Sequence, residues 1–151
     1  MKYVFLPALI LCSCIQQQAD MREKSKQEIM DADRAMSVLA AKEGFHQALL
    51  TYADDSVIKP KEGEFPVIGK SALETSWAKA TETKNITWEP FRAEAARSGD
   101  LGYSIGNWKF VMKDTTLFGN YYTIWKKQSD GKWKFVFDGG NGTPSQDAVS
   151  K

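Results

Sequence analysis

Two ionisable residues stand out for their neighbours: Asp138, between Phe137 and Gly139, and Lys59, directly before Pro60. A strand carboxylate among apolar residues suits a general base, and a lysine ammonium beside it would be its cationic partner. The competing assignment is structural, with Asp138 capping its strand or pairing with Arg92 or Arg97 and Lys59 solvated. Other chemistries lack their parts. His46 is the only histidine, so no His-rich metal site can be assembled, and no metal is expected. A Ser-His-Asp arrangement has the same difficulty, because His46 reads as a surface or cap position on a helical stretch. Cys12 and Cys14, the only cysteines, both fall within the first fourteen residues. Neither G-x-G-x-x-G nor G-x-x-x-x-G-K occurs, so no nucleotide cofactor is expected.

The elements that must position these residues follow from periodicity. Ile29, Ala32, Met36, Leu39 and Ala40 recur at helical intervals, predicting a helix from Lys26 that breaks at Gly44. A second, over Phe45–Tyr52, presents Phe45, Ala48, Leu49 and Tyr52 on one face. Ser56–Lys59 reads as a short strand, and 61–69, rich in Pro and Gly, as loop. Ser71 with Glu74 forms a capping-box pattern opening a third helix striped by Leu73, Trp77 and Ala80. Strands are then expected over 86–98, 101–113, 120–128 and 132–138, separated by turn signals such as Ser98-Gly99-Asp100 and Ser129-Asp130-Gly131. Gly139-Gly140-Asn141-Gly142 should close the last strand, leaving a flexible tail, 143–151. Helices first and hairpin-linked strands after predict an α+β domain with helices on one face of an antiparallel sheet.

The start of the chain has a different character. Lys2 precedes an apolar run from Tyr3 to Leu11, too short to span a bilayer at roughly 20 residues per helix. Leu11-Cys12-Ser13-Cys14 resembles a bacterial lipobox, which implies cleavage before Cys14, lipidation of its sulfur and an address in the cell envelope. Residues 1–13 would then be a signal peptide and 14–25 a polar tether. The remaining 138 residues would carry 19 Lys+Arg against 19 Asp+Glu, and no free thiol or disulfide. That balance argues against nucleic acid as a partner. The membrane would be met through the lipid alone.

Tyr52-Ala53-Asp54-Asp55-Ser56-Val57-Ile58, followed by Pro60, Gly69 and a helix, is similar to the NTF2-like superfamily. Ser98-Gly99-Asp100-Leu101-Gly102-Tyr103-Ser104-Ile105-Gly106, Trp125-Lys126-Lys127 and Asp130-Gly131-Lys132-Trp133-Lys134 narrow the resemblance to the DUF4440 branch, which is ketosteroid-isomerase-like and SnoaL-like. It covers residues 26–142. It implies a cone of three helices cupping a curved antiparallel sheet, an internal cavity and a homodimer paired through sheets. Steroid isomerase activity does not carry over: Lys59 stands where those enzymes place their base, and Met36 roughly where they place the oxyanion tyrosine. Within such a cavity, Asp138 and Lys59 are the candidate catalytic pair, and Trp77, Trp88, Tyr103, Trp108 and Tyr121 the candidate ligand-binding residues. The expected function is a lipid-anchored, non-catalytic module for a small apolar ligand. The alternative is a small isomerase, dehydratase or hydrolase.

Overall fold

The computed structural model describes residues 20–144; the lipobox with Cys14 and residues 145–151 lie outside the described residues. Helix α1 (Arg22–Glu43) starts four residues before the expected Lys26, so Arg22–Ser25 is helix rather than tether. Tertiary contacts explain the extra turn. Ser25 is fully buried, its hydroxyl donates to the Gly99 carbonyl at 3.1 Å, and Met21 N–H bonds Arg97 O. Gly44, at φ 116°, ends α1 and leads straight into α2 (Phe45–Tyr52), both as the sequence predicts. Glu82 supplies the start of α2, accepting from the His46 and Gln47 amides at 3.1 Å each.

Strand β1 (Ala53–Lys61) turns at Gly63 into β2 (Glu64–Ile68). This hairpin replaces the expected loop over 61–69. Pro66 is tolerated because β2 is an edge strand, where a missing N–H costs no ladder bond. Helix α3 (Lys70–Trp77) begins after Gly69 without a side-chain cap, so the capping box at Ser71 does not form. Strands β3 (Ile86–Ala95), β4 (Leu101–Val111), β5 (Thr116–Lys127) and β6 (Trp133–Thr143) follow. β6 runs through Gly139–Gly142 instead of stopping there, since Tyr122–Gly119 of β5 pairs with it in register.

One six-stranded sheet results, ordered β2-β1-β6-β5-β4-β3. All pairings are antiparallel except β1 with β6, which is parallel, so the sheet is mixed where a purely antiparallel one was expected. Bulges between Lys59 and Lys61, at Phe91 and at Val136 bend it. Helix α1 lies on the inner face, and Ile29, Met36, Ala40, Leu49, Val57, Trp125 and Phe135 form the core between layers.

Candidate functional site

The inner face of the sheet and the first two helices enclose a cavity of about 390 Å³. Its apolar wall is Met36 from α1, Phe45 and Leu49 from α2, and Ile86, Trp88, Trp108 and Tyr121 from the sheet. Its polar side is Lys59 and Glu62 from the β1–β2 hairpin with Asp138 and residues 139–142 from β6.

Strand alternation places each group. Val57, fully buried, and Lys59 share a face of β1. On β5, Gly119, Tyr121, Thr123 and Trp125 all point inward. Asp138 is different. It stands three residues after the buried Phe135, which plain alternation would put on the opposite face. The bulge at Val136 resets the parity, because Trp125 pairs with Phe135 while Ile124 pairs with Phe137. Asp138 therefore turns inward opposite Thr123. Its Oδ1 accepts from Thr123 Oγ1 at 2.7 Å and its Oδ2 from Lys59 Nζ at 2.5 Å. Both partners of the ion pair are partly buried, at 20% and 13% side-chain exposure. The arrangement is a carboxylate held by one hydroxyl and one ammonium at the edge of an aromatic pocket. Neither Arg92 nor Arg97 pairs with it.

Two glycines make room for the aromatic wall. A Cβ on Gly106 would strike the Tyr121 ring and the Glu89 carbonyl, and one on Gly119 would strike the Trp108 indole. Each wall residue thus lies against bare backbone on the neighbouring strand.

Behind that wall is a polar cluster that sequence reasoning missed. Asp33 of α1 is fully buried. Its Oδ1 accepts from Trp88 Nε1 at 2.8 Å and its Oδ2 from the Tyr121 hydroxyl at 2.9 Å. Ser104, also buried, accepts from Trp125 Nε1 at 2.8 Å. Burial pushes the Asp33 carboxyl up to about 6, against the opposing pull of its hydrogen-bond donors, and the nearby Asp138 charge adds to the rise. Burial, with the Asp33 charge next, also raises the Tyr121 phenol. A sequence signal existed: Asp33 lies between Ile29 and Met36 on the apolar stripe of α1, where a carboxylate has no business unless something bonds it. Ser104 carried a second overlooked pattern, since Gly102-Tyr103-Ser104-Ile105-Gly106 spells G-x-S-x-G. It lies in the middle of β4, buried and bonded to Trp125, rather than on the strand-to-helix turn that exposes a nucleophile.

Lys59, Asp138, Trp88, Trp108 and Tyr121 thus converge on one cavity. Two candidates do not reach it. Trp77 packs at a tilt against His46, with ring centroids 4.8 Å apart, and against Phe45 at 6.4 Å, and it does not line the cavity. Tyr103 neighbours the inward Gly102 and Ser104 and so points to the outer face, beside Ile124. Among the described residues no group of three His, Cys, Asp or Glu side chains converges as a metal site.

No family model and no curated protein matches the chain. Solved structures do. A ketosteroid isomerase-like protein from Erwinia carotovora atroseptica is 15% identical with a TM-score of 0.61, over 77% of this chain and 95% of its own. An NTF-2 like protein of unknown function from Shewanella oneidensis is 14% identical with a TM-score of 0.61, over 76% and 96%. The CaMKII hub of S. rosetta is 16% identical with a TM-score of 0.58, over 78% and 96%. At such identities the likeness speaks for architecture and not for activity. The chain has the NTF2-like fold.

Proposed function

We propose that this chain is a lipid-anchored envelope protein whose domain, a cone of the DUF4440 type, binds a small, largely apolar ligand without turning it over. The observation that carries the ligand reading is the cavity. Its volume of about 390 Å³ is in the range of small-molecule sites, and aromatic walls with one polar corner are how such sites bind and orient a ligand. Anchoring is supported by the lipobox pattern ending at Cys14 and the apolar run before it. Self-association is supported by the apolar outer face of Tyr103, Tyr122 and Ile124 and accords with the likeness to a hub protein. Native mass spectrometry of protein from its own cells tests this reading. A retained small molecule on a dimer mass is expected, and ligand-free monomer would overturn it. Cys14→Ser should release the protein from the membrane fraction.

A second reading is favoured by the 2.5 Å contact of Lys59 with Asp138 inside the cavity. There Asp138 is the general base and Lys59 stabilises the negative charge formed on an apolar substrate. Turnover by the wild type that Asp138→Asn abolishes without loss of binding would select it.

A further inference from the structure

The cavity owes its polar side to the splaying of two strands. The parallel β1–β6 ladder ends at the pair Ile58 and Phe137. Two residues on, Pro60 has no N–H to offer, and β1 bulges between Lys59 and Lys61 as it turns into β2. β6 continues to Thr143, in register with β5 alone.

Two contacts fix which way the β6 main chain faces. The Asp138 carbonyl lies 3.4 Å from Lys59 Nζ, on the side away from β5. The Asn141 carbonyl faces β5, lying where a Cβ on Gly119 would go. Successive residues of an antiparallel strand alternate in direction. The N–H and C=O groups of Gly140 and Gly142 therefore face the cleft, as those of Asp138 do; the Gly142 carbonyl also accepts from the Asn141 side-chain amide at 3.1 Å, which occupies one of its two lone pairs. Both glycines line the cavity and both are exposed, and the exposed surface of a glycine is main chain. At Gly140 the bareness is enforced: a Cβ would come within 2.5 Å of the Asn120 carbonyl oxygen.

We propose that the cleft between β1 and β6 binds a short extended peptide whose main chain pairs with the open β6 edge at Gly140 and Gly142. The proposal rests on the ligand-binding reading and names the ligand's class. Two same-facing residues about 6.8 Å apart repeat the spacing of one strand along another, which is the geometry of strand addition. A peptide so placed alternates its side chains, sending every second one toward the apolar wall of Leu49, Trp88 and Trp108. The cavity of about 390 Å³ limits the buried part to a few residues.

The test titrates the full chain with acetyl-Val-Phe-Val-amide, with the same peptide methylated on its amide nitrogens, and with indole. Amide exchange is followed by NMR. The parent peptide should slow exchange at Gly140 and Gly142 and leave Asn141, already paired with β5, unchanged. N-methylation should weaken binding about tenfold or more, since it removes the donors that meet the Gly carbonyls. Gly142→Pro, which deletes a cleft-facing N–H, should bind at least about tenfold more weakly than Gly142→Ala, which keeps it. The alanine Cβ meets nothing closer than 3.9 Å, so that control should fold. Equal binding of the parent and methylated peptides overturns the proposal. Indole binding with no peptide binding overturns it while leaving the cavity reading in place, and binding of neither overturns both.

Discussion

Two polar clusters sit a few ångströms from the same aromatic wall, and they are built to opposite rules. Around Asp33 the carboxylate is fully buried and both its oxygens are answered, one by an indole N–H and the other by a phenol O–H. Around Asp138 the same residue type has one hydroxyl and one ammonium, and the pair remains partly exposed at a cavity edge beside unpaired strand. A closed network stabilises one arrangement of the walls, whereas an open one has capacity left for a ligand. Trp88 and Tyr121 belong to both, since their rings line the cavity and their polar atoms hold Asp33.

The contrast is most severely tested by Asp33→Leu. It leaves two buried donors, the Trp88 indole N–H and the Tyr121 hydroxyl, without an acceptor, and we expect a loss of about 3–5 kcal/mol in urea unfolding. A loss below about 1 kcal/mol would show that the network is not closed. Asp33→Asn probes its charge. The folded carboxyl titrates near 6 against 3.8 for the free group, so the native state holds the extra proton between those values. Stability contributed by this proton is complete below pH 4 and is lost as pH rises through about 6. Wild-type stability relative to Asp33→Asn should therefore fall by about 2 kcal/mol from pH 4 to 6.5, measured by urea midpoints. A flat difference would remove the buried charge from the account.

Smaller effects sharpen the boundary between the clusters. Gly106→Ala drives a methyl into the Tyr121 ring and should cost about 1–3 kcal/mol while shrinking the cavity. Asp138→Asn keeps a partner for Thr123 and loses the Lys59 charge pair, so its stability cost should be about 1 kcal/mol, while ligand affinity changes more. If Asp138→Asn destabilises as strongly as Asp33→Leu, the distinction between open and closed clusters collapses. Tyr103→Ser, on the outer face, should change monomer stability by less than about 0.5 kcal/mol and shift sedimentation toward monomer.

Much of the frame was legible without coordinates. The helical stripe of α1, the break at Gly44 and the hairpin signals at Gly99 and Gly131 are local, because each depends on side-chain period or on glycine backbone within a few residues. The β1–β2 hairpin and the continuation of β6 over Gly139–Gly142 were not. Gly63 and Pro66 mask the strand formers Phe65, Val67 and Ile68 of β2, and the glycines of 139–142 are poor strand formers that pairing with β5 holds extended. Trp88, Trp108 and Tyr121 were found as cavity residues through their chemistry, while Tyr103 was misplaced because aromatic identity does not disclose which face a strand buries.

The chain's pattern of periods and turns thus settles the order of the helices and most strands and the apolar face of each helix. Tertiary structure alone decides that Lys59 meets Asp138 across 79 positions, that Asp33 is buried and answered, and that β6 keeps an open edge. The reason is one of range. Periodicity reports which side of its own element a residue takes, but a single bulge at Val136 reverses that side for everything beyond it, and the bulge exists only because two strands pair.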